Sequence, residues 1–429
     1  MAFATAAWAA PATPTYTRDV APILQKYCQE CHRPGEIGPF SLLTYRQARP
    51  WATAIRNAVL ARTMPPWHAD RHYGKFSNDR SLSEAQIQTI ATWAANGAPE
   101  GNPKDLPLPA RFTEGWGIPK PDVIFQLPKP YQIPATGTID YLHWVIPSGF
   151  STDKWIQFAE ARPGDRSHVH HIIAFVREPG SKWLQGAKPG EPFIPEKPKP
   201  GDDVDAAALP SDFLVGYAPG QPAEALEPGR AKLVRAGSDI IIQMHYTTDG
   251  KPSTDLSRIG LVFAKEPPRQ RVMTFSAVNG NLRIPPGAPN HKVEAEFELG
   301  ADVVLHGLHP HMHARGKDFV YRVRFPDGRR ETLLSVPRYS FAWQLWYNLD
   351  PPLPLPKGTV IECAAHFDNS PNNKHNPDPS KEVLWGDQSW DEMMVGFFNF
   401  AFDAALDEKK IPAPAKSGGP APAASRSQE

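Results

Sequence analysis

Cysteine is scarce in this chain of 429 residues: only Cys28, Cys31 and Cys363 occur. Two of them share one short motif, so a disulfide framework is excluded. Excess charge is also lacking. Lys+Arg and Asp+Glu both number 46, which leaves no basic surplus for general nucleic-acid binding. No apolar run approaches the ~20 residues needed to span a bilayer as a helix. Long helices are opposed by 49 prolines, about twice the usual share of ~5%, which favour loops, edges and turns. What remains is 41% hydrophobic and 10% aromatic, enough for ordinary cores. The length fits two to four domains.

Composition divides the chain. The opening MAFATAAWAA is small and apolar without a basic n-region, and residues 1–14 read as a signal remnant or disordered start. Residues 15–98 are expected to be helical. Val20, Ile23, Leu24 and Tyr27 form the stripe of an amphipathic helix. Ser83 and Gln86 make a capping-box pattern, Ile87, Ile90, Ala91 and Ala94 follow on one face, and Gly97 closes the helix. Residues 99–121 are a proline-rich linker. Beyond it the signal is β: Ile172–Val176, Ile240–Ile242, and the alternation of Phe319, Tyr321 and Val323. Residues 186–230 read as a long irregular excursion, and 409–429 as a disordered tail.

Cys28-Gln29-Glu30-Cys31-His32 has the spacing of a c-type haem attachment site. Both thiols would bond the haem, with His32 as proximal iron ligand. A redox CxxC or half of a zinc site leaves the adjacent His unexplained, and no second Cys pair exists. Met64, in Met64-Pro65-Pro66-Trp67, is the expected distal ligand, with His68 and His72 as rivals. A Met ligand suits electron transfer, because it raises the potential and closes the sixth position. Residues 15–98 resemble a class I cytochrome c domain.

Seven of the 15 histidines fall in two windows: His168, His170 and His171, then His306, His309, His311 and His313. A lone His is ordinarily a satisfied core residue, but seven so placed need many partners. On a strand, His311 and His313 share one face and can hold one metal. Imidazole suits copper, zinc, iron or nickel. No HExxH-type zinc motif is present. Cys363-Ala-Ala-His366 has part of a blue-copper loop but no following Met, so Cys363 reads as a buried core thiol. The same shortage of cysteine disfavours a copper–haem nitrite reductase.

His168-Val-His170-His171-Ile172, Gln243-Met244-His245-Tyr246, Ile284-Pro-Pro-Gly287, His311-Met312-His313-Ala-Arg315-Gly-Lys317 and Asp391-Glu392-Met393 occur in this order. With them, residues ~122–403 resemble the copper type II, ascorbate-dependent monooxygenases, the family of the peptidylglycine α-hydroxylating and dopamine β-monooxygenases. The resemblance implies two jelly-roll-like β-sandwiches, expected at 122–275 and 276–408. It also implies two copper ions, one on His170, His171 and His245, the other on His311, His313 and Met393. Strand geometry instead pairs His168 with His170, and the family pairing of His170 with His171 requires a local bulge. A thioether favours Cu(I), so the Met393 site is the one expected to activate O2, with the all-His site passing electrons.

Three departures weigh against peptide amidation. The partner position for a Cys363 disulfide is Met394. His309 replaces the family's carboxylate-binding Arg, and Phe397 replaces its substrate-contacting Tyr. The expectation is therefore a multidomain periplasmic or secreted monooxygenase, acting on O2 and a small organic substrate. A small all-α haem c domain, reduced by an external donor, would precede two all-β sandwiches. A non-catalytic electron-transfer or copper-binding protein on the same fold is the alternative.

Overall fold

The computed structural model describes residues 13–195 and 212–413. The readings of MAFATAAWAA and of the extreme C-terminus fall outside those residues. The described chain is mostly β, with its helices confined to the N-terminal part. There Tyr16–Val20 runs into Ala21–Tyr27, followed by Tyr45–Ala48, Ala52–Leu60 and Glu84–Ala95. The capping box forms as the sequence suggests: Ser83 accepts from the Gln86 N–H, and the Gln86 side chain returns the bond. Val20, Leu24, Ile55, Val59, Ile90 and Trp93 close a separate small core.

Two sandwiches follow, but they are not independent. One nine-stranded sheet runs through both. Its first half, which includes Lys154–Arg162 and Arg258–Phe263, covers a five-stranded sheet of Pro192–Phe193, Leu142–Pro147, Asp239–Tyr246, Val169–Arg177 and Asp212–Tyr217. Its second half, Gln270–Val278, Val395–Asp403, Val303–His311 and Tyr347–Leu355, covers a four-stranded sheet. The halves join where Gln270 and Arg271 pair in parallel with Arg230 and Ala231.

This sheet corrects three expectations. A boundary at 275/276 cuts a strand that pairs with Val395–Asp403 along its whole length, so the second sandwich begins by Gln270. The excursion at 186–230 contains Asp212–Tyr217, a fully buried strand beside Val169–Arg177. The tail does not start at 409: Ile411 is buried, Pro412 bridges Leu299, and Ala413 donates to Glu298 O at 2.8 Å.

The five-stranded sheet is buried on both faces. Ile240, Ile242 and Met244 face the first core, whereas Ile241 and Val145 join Phe175, Phe213 and Trp346 in a separate cluster. That second cluster packs the sheet's outer face against the second sandwich. Strand alternation puts Gln243 and His245 on the same outer face as Ile241. The apolar runs of both strands follow from this double burial.

Candidate metal centre

Val169–Arg177 and Asp239–Tyr246 are antiparallel neighbours, with His171 directly opposite His245. The register slips between His245 and Tyr246, whose partners are His171 and Val169, so His170 is an extra residue. This bulge turns His170 toward its neighbour. The ligand atoms of His170, His171 and His245 all lie within 4.8 Å of one another. Nδ1 of His170 and Nδ1 of His171 face each other at 3.3 Å, and Nδ1 of His245 is buried without a partner. Burial pushes the His170 imidazole down to about 4. Burial, and then the neighbouring imidazoles, hold His171 and His245 well below their usual value. Three neutral rings with nitrogen lone pairs converging is the donor set of a metal site.

His168 lies outside this cluster. Its Nδ1 meets Asp165 at 2.6 Å and its Nε2 meets Asp249 at 3.0 Å, so both nitrogens are engaged. Burial opposes its charge, but the two carboxylates outweigh burial and raise its pKa. The same-face pairing of His168 with His170 does not form, because the strand starts at Val169 and bulges immediately.

The second set forms differently from the i, i+2 expectation. His311 ends its strand and His313 lies in the following loop. Their rings still stand perpendicular, with centroids 5.1 Å apart. His311 Nδ1 donates to Gln344 Oε1 at 2.6 Å, and His313 Nδ1 to Asp391 O at 3.1 Å. Both Nε2 atoms are thereby left free of those bonds, and that of His313 is buried without a partner. Burial lowers His311 to about 4 and His313 to about 3. Orientation by hydrogen bonds to the far nitrogen is how metal-binding imidazoles are ordinarily fixed.

Glu392 anchors this loop. It is fully buried and accepts the N–H groups of His313 at 2.8 Å and Arg315 at 2.6 Å. Burial raises its carboxyl to about 8. Glu392→Ala is expected to orphan both donors and cost about 2–5 kcal/mol. Glu392→Gln should be nearly neutral, since it retains an acceptor and loses no charge. Urea unfolding of the metal-free variants measures both.

The two sets meet across the interface of the sandwiches. The Tyr141 ring lies 4.4 Å from that of His245, 5.3 Å from His171 and 6.2 Å from His313. Phe341 lies 5.9 Å from each of His170, His245 and His313. Beside them opens a cavity of about 680 Å³, walled by His311, His313, Met393, Phe175, Trp183 and Phe397. His309 also lines it, stacked on Trp346 at 5.0 Å. Sequence reading missed Tyr141, Phe341 and Gln344. They are isolated loop residues without motif or periodicity, and only the tertiary fold brings them to the histidines. His306 stays apart, at a bulge between Leu305 and Gly307. Cys363 is 2% exposed in the second core, where its thiol is packed against Gly396.

In the helical domain Cys28 and Cys31 are free thiols at the end of Ala21–Tyr27. His32 Nδ1 lies 3.2 Å from Phe40 O, which leaves Nε2 to a ligand-binding role. Gly38 lies so close to His32 and Cys31 that a Cβ would meet the Cys31 carbonyl at 2.6 Å. These features fit a covalently attached haem. Met64 and His68 line one cavity of about 280 Å³, and neither ring nitrogen of His68 has a partner. His72 is exposed and bound to Asp70 at 2.6 Å, which leaves Met64 and His68 as the distal candidates. Trp67 has left this domain: it belongs to the second sandwich's core, 4.9 Å from the Tyr347 ring.

No family model matches the chain, and no curated protein matches it. Among solved structures, it is similar to that of infectious bursal disease virus Gx strain, at 8% identity and TM-score 0.20, covering 71% of this chain and 77% of that one. It is also similar to the STIV MCP, at 10% identity and TM-score 0.22, covering 58% and 96%. Likeness at this level says nothing about function.

Proposed function

We propose that the chain is a copper-dependent monooxygenase that hydroxylates a small organic substrate with O2, fed by electrons through a fused c-type haem. The observation that carries this reading is the convergence of two histidine sets, with unpartnered buried nitrogens in each, on one enclosed, largely apolar cavity. The order of the five motifs, which resembles the copper type II ascorbate-dependent family, supports it. His170, His171 and His245 would hold one copper, and His311, His313 and Met393 the other; Cys28, Cys31 and His32 would hold the haem, with Met64 opposite. When bound, copper supplies O2 reduction and C–H oxidation, and the haem relays single electrons. The protein's own part is separate from that chemistry. Burial keeps the imidazoles neutral, so their lone pairs are available. Gln344 and the Asp391 carbonyl fix the orientation of His311 and His313. Phe175, Trp183 and Phe397 exclude water and leave space for an organic molecule. Export to the periplasm or beyond belongs to the same reading.

Copper-loaded protein should contain one covalent haem and two coppers with a type II EPR spectrum. Once reduced, it should consume O2, releasing peroxide when no substrate is supplied. An intense blue thiolate band would make Cys363 a ligand and refute the assignment. Full copper and haem loading with no reaction toward O2 would favour a pure electron-transfer protein.

A further inference from the structure

The helical domain is seated on the sandwiches by two contacts. At the first, Arg80 Nη2 donates to Gly220 O at 2.6 Å. Gly220 has φ +77, and a Cβ there would lie 2.5 Å from Arg80 and 3.3 Å from Cys31 Sγ. Arg166 joins Glu36 at 3.1 Å and covers the Tyr217 ring at 5.5 Å. At the second, Trp67 and Phe76 pack on Tyr347, and Asn78 donates to Trp346 O at 2.7 Å. Trp346 in turn stacks on His309.

We propose that the first contact is the electron entry, and that the electron reaches the His170–His171–His245 cluster before the His311–His313 pair. This rests on the haem-and-copper reading above. Cys31 is one of the two haem-bearing thiols, so the Gly220 turn touches the attachment edge itself. Three residues back along the chain, Tyr217 ends its strand as the ladder partner of Ile172, the residue next to His171. The route is therefore covalent bonds plus one ladder step. The rival route starts at Trp67, which carries no haem bond, and crosses ring-to-ring gaps to His309. Tunnelling falls exponentially with such gaps, so the bonded route dominates. The step is one electron: iron(II) becomes iron(III), a copper(II) at the cluster becomes copper(I), and no bond or proton moves.

Oxygen-free stopped-flow on the holoprotein tests this. A substoichiometric pulse of reductant reduces the haem, and its reoxidation by copper is followed by absorbance. His245→Ala should remove that fast phase. Arg166→Glu should slow it by about tenfold with haem and copper retained, and adding Glu36→Arg should restore it in part, as a coupled pair requires. Trp346→Leu should leave it unchanged. A fast phase that survives His245→Ala and Arg166→Glu but falls in Trp346→Leu overturns the proposal and leaves the functional reading standing. Absence of covalent haem, or of copper at the cluster, overturns both, and metal content and the Soret band show it before any kinetics.

Discussion

Met393→Ile is expected to abolish oxygen-dependent turnover, by roughly a hundredfold or more, equivalent to about 2.7 kcal/mol of barrier, while the fold and the haem spectrum persist. The structure separates the two adjacent methionines. Met394 is 0% exposed in the second core, whereas Met393 is half-buried and lines the cavity with His309, His311 and His313. The residues take opposite sides because an extended segment alternates its side chains. As packing changes, both Met→Ile substitutions are close in volume and should cost under ~1.5 kcal/mol. Only the Met393 change removes a soft donor from a site that must hold Cu(I). Copper at His170, His171 and His245 should be retained. X-ray absorption of the reduced protein should show sulfur in the copper shell of wild type and Met394→Ile but not of Met393→Ile. If the two variants are alike in that shell and in oxygen consumption, Met393 is not a ligand.

The metal-site histidines were visible in the sequence because they are dense, and their grouping depended on the resemblance. Periodicity alone put His168 with His170. The bulge that reverses this is set by pairing with Asp239–Tyr246, a contact about 70 residues away in sequence. The helical stripe and the Ser83 capping box were legible because both are local. Asp212–Tyr217 was not, since its flanks are rich in proline and glycine and its neighbour in the sheet comes from much earlier in the chain. Trp67 read as part of an axial loop because its local context is Pro65-Pro66, yet Tyr347 claims it from far along the chain. The shared nine-stranded sheet was equally hidden: two short pairings at Gln270 and Arg271 join sandwiches that hydrophobic patterning treats as separate.

Metal-free protein should lose most of its stability between pH 6.5 and about 4. Desolvation holds His143, His170 and His311 near about 4, and His309 and His313 near about 3. His171 and His245 are also held well below the usual value. In the unfolded chain each would titrate near its ordinary ~6.5. As pH falls below that value, the unfolded state takes up protons that the folded state refuses. Stability from these seven groups is therefore complete above pH 6.5 and drains away toward their folded values. Three buried carboxyls oppose this. Asp212 and Asp387 are raised to about 6 and Glu392 to about 8, chiefly by burial, so the folded state holds their protons more tightly. His168, raised by its two carboxylates, is protonated in both states over most of the window and shifts the balance little. Seven against three leaves a net uptake of about four protons on unfolding, or at most roughly 5 kcal/mol per pH unit. A typical fold holds only about 5–15 kcal/mol, so the midpoint of thermal unfolding should fall steeply from pH 6.5 to 5. Copper competes with protons for six of the groups' neighbours and members, so the loaded protein should resist until the metal is released. Calorimetry of both forms at pH 7.5, 6.5, 5.5 and 4.5 decides it. A metal-free melting temperature that stays flat down to pH 5 would mean that the imidazoles reach solvent and protonate in place, and that the buried, proton-free donor sets do not exist.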